Sequence, residues 1–401
     1  MNTTNDTPAV TSPVISRRVS QISMSATKEM PILAARVGGC VSLGQGIPSF
    51  STPAYILEAV CRALKENPDI GKYTLQTGLP ELRRAVSDHL KIEKHIDTDP
   101  EHEVLITVGA MEALLAAILT VVDRGDEVIL PSPAYASHIE QVLLAEGKPV
   151  FAPLRKENWG LDIDVIKRAV TPRTRALILC NPGNPTGAVF SDEDVVALCR
   201  LAAEKNFVII SDETYDYLTY DGNIPLSPAS LAEYKDRIIT ISSFSKKYAL
   251  TGWRIGWVTA SRPLMSQIMK VHDCTAICAP TPSQYAALAA LCGPQDYVEY
   301  MQNVLKGRRD LCCSRIDALN GAFDYVRPGG AFYIMARYCF TDESSRDVAI
   351  RLVNEARVIT VPGASFGPGG DGHLRLSFGS SEDVINESFD RIAIWLKKKN
   401  L

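Results

Sequence analysis

Two adjacent lysines, Lys246 and Lys247, stand in the segment ISSFSKKYALTGWRIGW (241–257), just beyond an apolar run. Lysine is the common side chain that forms a Schiff base with an aldehyde. Arg254 follows Lys246 by eight residues, and the planar guanidinium of arginine suits a phosphate. A lysine and an arginine held on one loop would therefore suit a phosphorylated aldehyde, although their types alone do not decide which lysine reacts.

Polar residues also follow several other short apolar runs. A glycine turn precedes Ala110 and Met111, Tyr135 stands in PSPAYASH, Asn184 in NPGNPTG (181–187), and Asp212 and Tyr215 stand in SDETYDYL. In open α/β sheets, ligands bind outside the carboxyl ends of the strands. Each residue has a simpler explanation, since an aspartate often caps a helix and Asn, Pro and Gly dominate turns. So many functional types at one sheet edge nevertheless favour a shared ligand site.

The apolar runs that must position these residues predict the fold. They are short, rich in β-branched residues and separated by helical patterns, which is typical of a mostly parallel sheet buried on both faces. The runs are Val104–Thr107, Glu127–Leu130, Ala176–Cys180, Phe207–Ile210, Arg237–Ile241 and Ile255–Ala260. One intervening helix is marked by a cap at Ser191 with Asp194 three residues later, followed by a buried face of Val195, Leu198 and Ala202.

After about residue 300 the pattern predicts a smaller α+β unit. Its expected strands are 329–336, 356–360 and 373–378, and its last helix is capped near Ser380 with Asp383 at the third position. The buried stripe of that helix is Ile385, Phe389, Ile392 and Leu396. The Gly/Pro-rich segment 41–53 is expected to cross between the two units.

Composition narrows the class of protein. The chain has 401 residues and a net charge of −4, which gives no reason to expect a nucleic-acid or anionic membrane partner. The longest apolar run is too short to span a bilayer, and the ten cysteines lack zinc-type spacing. The first dozen residues are polar, without the apolar core of a secretory signal. We therefore expect a cytoplasmic protein without disulfides or a metal, with the Arg17–Arg18 pair leaving an organelle address open.

The lysine segment contains a long and specific motif. Ser243, Lys246, Tyr248, Thr251, Gly252 and Arg254 match the pattern Ser-x-x-Lys-x-aromatic-x-x-Thr-Gly-x-Arg. With NPGNPTG and SDETYDYL in the same order, residues 30–398 resemble the fold-type I, class I/II pyridoxal 5′-phosphate enzymes, typified by aspartate aminotransferases. The resemblance implies a mostly parallel seven-stranded sheet with helices on both faces, plus a smaller α+β domain. It places the cofactor aldimine on Lys246, because Lys247 falls on the variable position.

The resemblance also assigns roles around the cofactor. Arg254, Ser243 and the helix N-terminus at Ala110 and Met111 would bind the phosphate. Asp212 would pair with the pyridine nitrogen, keeping it protonated so that the ring accepts electrons. Tyr215 and Asn184 would donate to the ring 3′-oxygen, and Tyr135 falls where the family stacks an aromatic, commonly Trp or Phe.

Three further residues are assigned through the resemblance. Arg375, in HLRLSFG, matches the arginine that clamps the substrate α-carboxylate; otherwise it would be a surface charge between strands. Gly46 fits a close backbone approach to the same carboxylate, with Asn184 beside it. Tyr73 resembles a tyrosine that reaches the phosphate in the neighbouring subunit. The implied assembly is a homodimer with shared active sites.

The implied reaction is transfer of an amino group between an L-amino acid and a 2-oxo acid, with ping-pong kinetics. The same scaffold supports carbon–sulfur β-lyases and aminocyclopropane carboxylate synthase-like enzymes, so these stay open. A binder that has lost the chemistry is disfavoured because Lys246, Asp212, Arg254 and Arg375 are all present. A dinucleotide-binding domain is disfavoured because no G-x-G-x-x-G follows the first run.

The expected domain ranges follow from the change of pattern. They are a tail or arm at 1–30, a small domain made of 31–57 and 299–401, and a large cofactor-binding domain at 58–298.

Overall fold

A computed structural model describes residues 14–22 and 26–400. The strands are β1 Val41–Ser42, β2 Val104–Thr107, β3 Glu127–Ser132, β4 Lys148–Pro153, β5 Thr174–Cys180, β6 Val208–Asp212, β7 Ile238–Ser243, β8 Gly256–Ala260, β9 Phe323–Tyr325, β10 Tyr333–Tyr338, β11 Val358–Ile359, β12 Val361–Pro362 and β13 His373–Ser377. The α-helices are α1 Arg17–Ser20, α2 Ala26–Val37, α3 Ala54–Glu66, α4 Pro80–Lys94, α5 Ala110–Val121, α6 Ala136–Leu144, α7 Ile163–Ala169, α8 Asp192–Lys205, α9 Phe244–Lys247, α10 Arg262–Ala276, α11 Thr281–Cys292, α12 Asp296–Asp317, α13 Ser345–Arg351 and α14 Glu382–Lys399.

The main sheet has seven strands in the order β2-β8-β7-β6-β5-β3-β4. All but one run in the same direction, and β8 pairs antiparallel with both of its neighbours. The prediction of a mostly parallel seven-stranded sheet is confirmed. Because β8 runs the opposite way, its first residue lies at the edge where the other strands end. Arg254, two residues before β8, is therefore placed beside Lys246.

The side chains of each central strand alternate between two buried faces. Leu105 packs in the cluster that includes α5 and α10, whereas Ile106 packs in the cluster that includes α4 and α11. Helices therefore cover both faces of the sheet, which explains why the strands read as continuous apolar runs. The predicted cap of α8 is also confirmed, since Ser191 Oγ accepts a hydrogen bond from the Asp194 amide.

A second group of strands packs around its own apolar cluster. Strands β12, β13, β10 and β9 form an antiparallel sheet, and the short strands β1 and β11 pair in parallel. Helix α14 closes this unit, and its predicted stripe of Ile385, Phe389, Ile392 and Leu396 is buried. Its cap is Ser381, one residue later than predicted, because the Ser381 hydroxyl accepts from the Val384 amide.

The expected domain ranges stay a prediction. Residues 1–13 and 23–25 of the expected tail lie outside the described residues, and helix α2 runs across the boundary expected at residue 30. Across the described ranges, no helix is long and apolar enough to cross a membrane. The same ranges hold no cluster of His, Cys, Asp and Glu that could ligate a metal ion. All ten cysteines are free thiols.

Candidate active site

A cavity of about 630 Å³ lies at the carboxyl ends of the parallel strands and collects most of the predicted site residues. Eleven of the twelve line it, and Tyr73 is the exception. The eleven are Gly46, Ala110, Met111, Tyr135, Asn184, Asp212, Tyr215, Ser243, Lys246, Arg254 and Arg375. Residues more than 300 positions apart thus face one space, as expected for strand ends that meet at one edge.

The two neighbouring lysines face different cavities. Lys246 lines the cavity just described, where its Nζ donates a 2.5 Å hydrogen bond to the Gly46 carbonyl. Lys247 lines a separate cavity with His89 and Tyr248. Burial lowers the pKa of Lys246 to about 8, helped by the positive charges of Arg375 and Arg254. Its amine is therefore far easier to deprotonate than an ordinary lysine, which suits a nucleophile or a base.

Asp212 lies at the end of β6 with its carboxylate facing the cavity. Its Oδ2 lies 3.0 Å from His138 Nε2, and its Oδ1 accepts a 2.7 Å bond from the Thr214 hydroxyl. Burial alone would raise the pKa of Asp212, but His138 and Thr214 outweigh burial and lower it. The carboxylate is thus held ionised inside the protein. The simpler turn-capping explanation is also satisfied, because the Thr214 amide donates to Asp212 Oδ1 at 3.2 Å.

His138 is a residue that the sequence analysis missed. It is buried on α6, one helical turn after Tyr135, and their rings meet edge to face with centroids 5.3 Å apart. The only sequence signal was its place in PSPAYASH, three residues after a selected tyrosine. Tyr135 itself is half-buried in the cavity wall, and desolvation raises the pKa of its phenol.

Tyr333 is the second missed residue. Its hydroxyl lies 2.8 Å from the Tyr215 hydroxyl, and burial raises the pKa of both phenols, that of Tyr333 to about 12. A Cβ atom on Gly46 would lie 2.7 Å from the Tyr333 hydroxyl oxygen. A side chain at position 46 would therefore force the Tyr333 hydroxyl to move away from Tyr215.

Arg375 is a buried cation at the middle of β13. Its guanidinium donates to Asn184 Oδ1 at 3.0 Å and to the Gly44 carbonyl at 2.8 Å, and it stacks on the Tyr333 ring. Its Nε is buried and has no hydrogen-bond partner among the described residues. Only 2% of the residue is exposed, so the alternative of a surface charge between strands is wrong. A buried arginine bonded only to neutral oxygens is well suited to receive an anion.

The N-terminus of α5 forms a second anion-binding feature. Gly109 precedes the helix with a φ of 76° and provides no side-chain cap, so the first amides of the helix are left for a ligand. Arg254 lies against this turn, because a Cβ atom on Gly109 would be 2.8 Å from its Nη2. Ser243, whose Oγ accepts from the Ser245 amide at 3.0 Å, also lines the cavity.

These features fit the cofactor that the sequence resemblance implies. Helix amides, a guanidinium and a hydroxyl converge as a phosphate requires, with an ionised aspartate and a neutralisable lysine in the same cavity. Tyr73 lies elsewhere, with 77% of its surface exposed. The role expected for it involves a second subunit, so that role stays a prediction.

Comparisons with known proteins agree over nearly the whole chain. Residues 39–392 match the family described as "Aminotransferase class I and II". The chain is 37% identical to the aromatic-amino-acid aminotransferase 2 of Thermococcus litoralis over 390 residues, covering 96% of this chain and 99% of the relative. It is 36% identical to the aspartate aminotransferase of Pyrococcus abyssi over 392 residues, covering 96% and 99%. The solved aspartate aminotransferase of Thermus thermophilus with maleate superposes with a TM-score of 0.90 at 35% identity, covering 96% of this chain and all of that one.

Proposed function

The chain belongs to the class I and II aminotransferases, and we propose that it uses pyridoxal 5′-phosphate, attached to Lys246, to move an amino group from an L-amino acid to a 2-oxo acid. The strongest support is the environment of Lys246. Its amine has a pKa of about 8 through burial and two nearby arginines, and it shares a cavity with the ionised Asp212 and the buried Arg375.

The residues that would hold the cofactor come from several separate parts of the large sheet and its loops. The amides at the start of α5, the guanidinium of Arg254 and the hydroxyl of Ser243 would bind its phosphate. Asp212, kept ionised by His138 and Thr214, would pair with the ring nitrogen, and Tyr215 and Asn184 would donate to the ring oxygen. Once bound, the cofactor supplies an aldehyde and a ring that stores the electron pair left when the substrate loses a proton.

Arg375 orients the substrate. Its fork would bind the α-carboxylate through two oxygens, which fixes the direction of the Cα–H bond. The Asn184 amide and the backbone near Gly46 lie beside it. Lys246 then moves the proton, because its neutral amine can accept the hydrogen from Cα and return it at a different atom. Two such half-reactions in sequence predict ping-pong kinetics.

A carbon–sulfur β-lyase or an aminocyclopropane carboxylate synthase-like enzyme is the alternative. Both begin with the same proton removal and differ in whether the substrate then loses a leaving group. Transfer is favoured because the relatives with similar length carry aminotransferase names. The cofactor-loaded protein mixed with a single amino acid and no oxo acid decides between them: conversion of the visible band supports transfer, whereas pyruvate or ammonia with an unchanged band supports elimination.

The adjacent lysines provide a matched test of the attachment site. Lys246→Ala should abolish the visible band that survives gel filtration and lower transfer by on the order of 10³-fold or more. Lys247→Ala should keep the band, because Lys247 faces another cavity. Retention of the full band by Lys246→Ala would rule out the proposed attachment.

Homodimerisation with shared sites and a cytoplasmic location complete the proposal. Tyr73 is exposed and does not line this chain's own cavity. This supports the first, since a residue assigned to the phosphate would then have to act in a partner.

A further inference from the structure

We propose that His272 is a positioning residue for the cofactor phosphate, and that it acts through Glu112 on the turn that opens helix α5. This inference rests on the proposed function, because the start of α5 is the part of the cavity assigned to the phosphate. It goes further by giving a role to a histidine that does not line the cavity and to the carboxylate that this histidine contacts.

Glu112 holds the turn between β2 and α5 through a side-chain hydrogen bond. It is the third residue of α5, and its Oε2 accepts a 3.1 Å bond from the Val108 amide, one residue before the glycine that precedes the helix. A glutamate at this position commonly reaches back to an amide at the start of its own helix. The Thr107 hydroxyl bonds to the Gly109 carbonyl of the same turn at 3.2 Å. Side chains therefore fix the turn without occupying the first amides of α5.

His272 holds the second oxygen of the same carboxylate. It lies on α10, the helix that packs against α5, and its Nδ1 is 3.0 Å from Glu112 Oε1. Because a carboxylate accepts hydrogen bonds, the imidazole donates from Nδ1. Each oxygen of Glu112 thus has a partner, and the carboxylate is held between the turn and α10.

The burial of the pair indicates that this bond is the reason for a histidine at position 272. The His272 side chain is fully buried, and its Nε2 has no hydrogen-bond partner among the described residues. Burying a polar group costs free energy unless it is hydrogen-bonded, so an apolar side chain would be better if the position only needed to be filled. The Glu112 side chain is 9% exposed. The pair is therefore already enclosed within one chain, whatever a second subunit adds to the cavity.

The shape of this turn determines how the cavity can bind a phosphate. The first amides of α5 donate to one anion only while the turn holds them together, and Arg254 Nη2 lies against the same turn at Gly109. Without His272, Glu112 Oε1 would lose its partner, and the carboxylate would be free to leave the Val108 amide. The helix amides and the guanidinium would then be aligned less well, which would weaken the binding of the phosphate but not that of the ring.

A comparison of pyridoxal phosphate with pyridoxal, which lacks the phosphate, tests the inference. Titrations of the cofactor-free protein, followed by the visible band, should show that His272→Phe weakens the affinity for pyridoxal phosphate on the order of tenfold and leaves that for pyridoxal unchanged. Equal losses for the two compounds would indicate a general structural role and overturn the inference, as would no loss for either. If the wild-type protein formed no band with pyridoxal phosphate, the proposed function would fail and this inference with it.

Two amide side chains of different length provide matched variants. The amide nitrogen of asparagine takes the place of Nδ1, whereas that of glutamine takes the place of Nε2. His272→Asn should therefore keep the wild-type ratio of the two affinities, and His272→Gln should lower it as His272→Phe does. This pair decides the question even if His272→Phe does not fold, because equal ratios for the two amide variants would overturn the inference. His102→Phe is the control, since the His102–Asp99 pair is exposed and should not affect the ratio.

A double substitution shows whether His272 acts through Glu112. In a Glu112→Ala background, His272→Phe should have no further effect on the ratio, because the carboxylate that His272 positions is absent. A loss of the same size in both backgrounds would show that His272 acts by another route, and would overturn the inference.

Discussion

At the scale of single residues, Lys246 and Lys247 show how the fold separates two identical side chains. Both follow β7 in the short helix α9, yet one faces the cavity with Asp212 and Arg375 and the other faces His89 and Tyr248. Burial lowers the pKa of each amine. Two arginines reinforce the decrease at Lys246, whereas the carboxylates of Asp216 and Glu93 oppose it at Lys247. With a pKa of about 8, the Lys246 amine is therefore partly neutral near physiological pH, whereas nearby carboxylates oppose the corresponding shift at Lys247.

The reactivity of Lys246 should follow its pKa. Only a neutral amine attacks an aldehyde. The rate at which the cofactor-free protein binds added pyridoxal phosphate covalently should therefore rise with pH, reach its midpoint near pH 8 and then level off. Stopped-flow absorbance between pH 6 and 10 measures this rate. Arg375→Gln should move the midpoint upward, because it removes a charge that lowers the pKa. A rate that still increases towards pH 10.5, the ordinary lysine value, would contradict the prediction.

The sequence predicted cavity-lining residues that stand in recognisable motifs, and missed those that can be identified only by their contacts. Lys246, Asp212 and Arg375 stand in motifs that are readable along the chain. His138 contacts the Asp212 carboxylate, 74 residues away, and the Tyr333 hydroxyl contacts the Tyr215 hydroxyl, 118 residues away. Such pairs arise when separate strands are brought to one edge, so nothing local marks them.

At the scale of secondary-structure elements, the turn after β6 carries two of the proposed functional groups. Asp212 and Tyr215 face the cavity, whereas Glu213 and Asp216 face Lys94 at the end of α4. Glu213 also accepts hydrogen bonds from the Ser211 and Ser227 hydroxyls, at 2.8 and 2.6 Å. The turn is thus fixed from behind by a buried network of charges and hydroxyls.

Removing the cation at the centre of this network should loosen the turn. Lys94→Met removes the positive charge that pairs with the carboxylates of Glu213 and Asp216. This should lower the free energy of unfolding by about 3 kcal/mol and weaken cofactor binding. Lys91→Met is the matched control on the same helix, because the Lys91–Asp97 pair is exposed and should contribute little. Urea unfolding at pH 7.5 and a cofactor titration test both effects. Equal stability and equal cofactor affinity for the two variants would exclude a special role for Lys94.

Two strands of the main sheet were not fully predicted from the sequence. Strand β4, with the sequence KPVFAP, was not identified because it lies at the sheet edge, carries two prolines and is mostly not buried. Strand β8 was identified, but its reversed direction was not, because a buried strand has the same apolar pattern in either direction. The 12 residues between β7 and β8 (244–255) are long enough for either direction, so the length of the connection does not reveal it either.

At the scale of the whole molecule, the cavity is lined both by the unit built on the seven-stranded sheet and by the unit built on the smaller sheet. Asp212 and Lys246 come from the seven-stranded sheet, whereas Arg375 comes from β13 of the smaller sheet. The bonds from Arg375 to Asn184 and from Lys246 to Gly46 join the two units across the cavity. A substrate held by Arg375 and reacting at Lys246 would therefore bridge both.

In the proposed homodimer, Tyr73 would extend this dependence to a second copy of the chain. If its hydroxyl donates to the phosphate in the partner's site, Tyr73→Phe should weaken cofactor affinity on the order of tenfold, the cost of one hydrogen bond to a charged group. Equilibrium dialysis against pyridoxal phosphate measures the change. Tyr300→Phe is the control, because Tyr300 is also an exposed tyrosine and lines a different cavity.

Hybrid dimers then decide whether Tyr73 acts within one subunit or across two. A dimer that pairs a Lys246→Ala subunit with a Tyr73→Phe subunit, isolated through two affinity tags, contains both defects in one site if Tyr73 acts across. The other site is then unaltered and should bind the cofactor with wild-type affinity. If Tyr73 acts within its own subunit, the only site with Lys246 carries the Tyr73→Phe defect and binds about tenfold more weakly. A single weakened site per hybrid would therefore refute shared active sites, whereas a single wild-type site requires them.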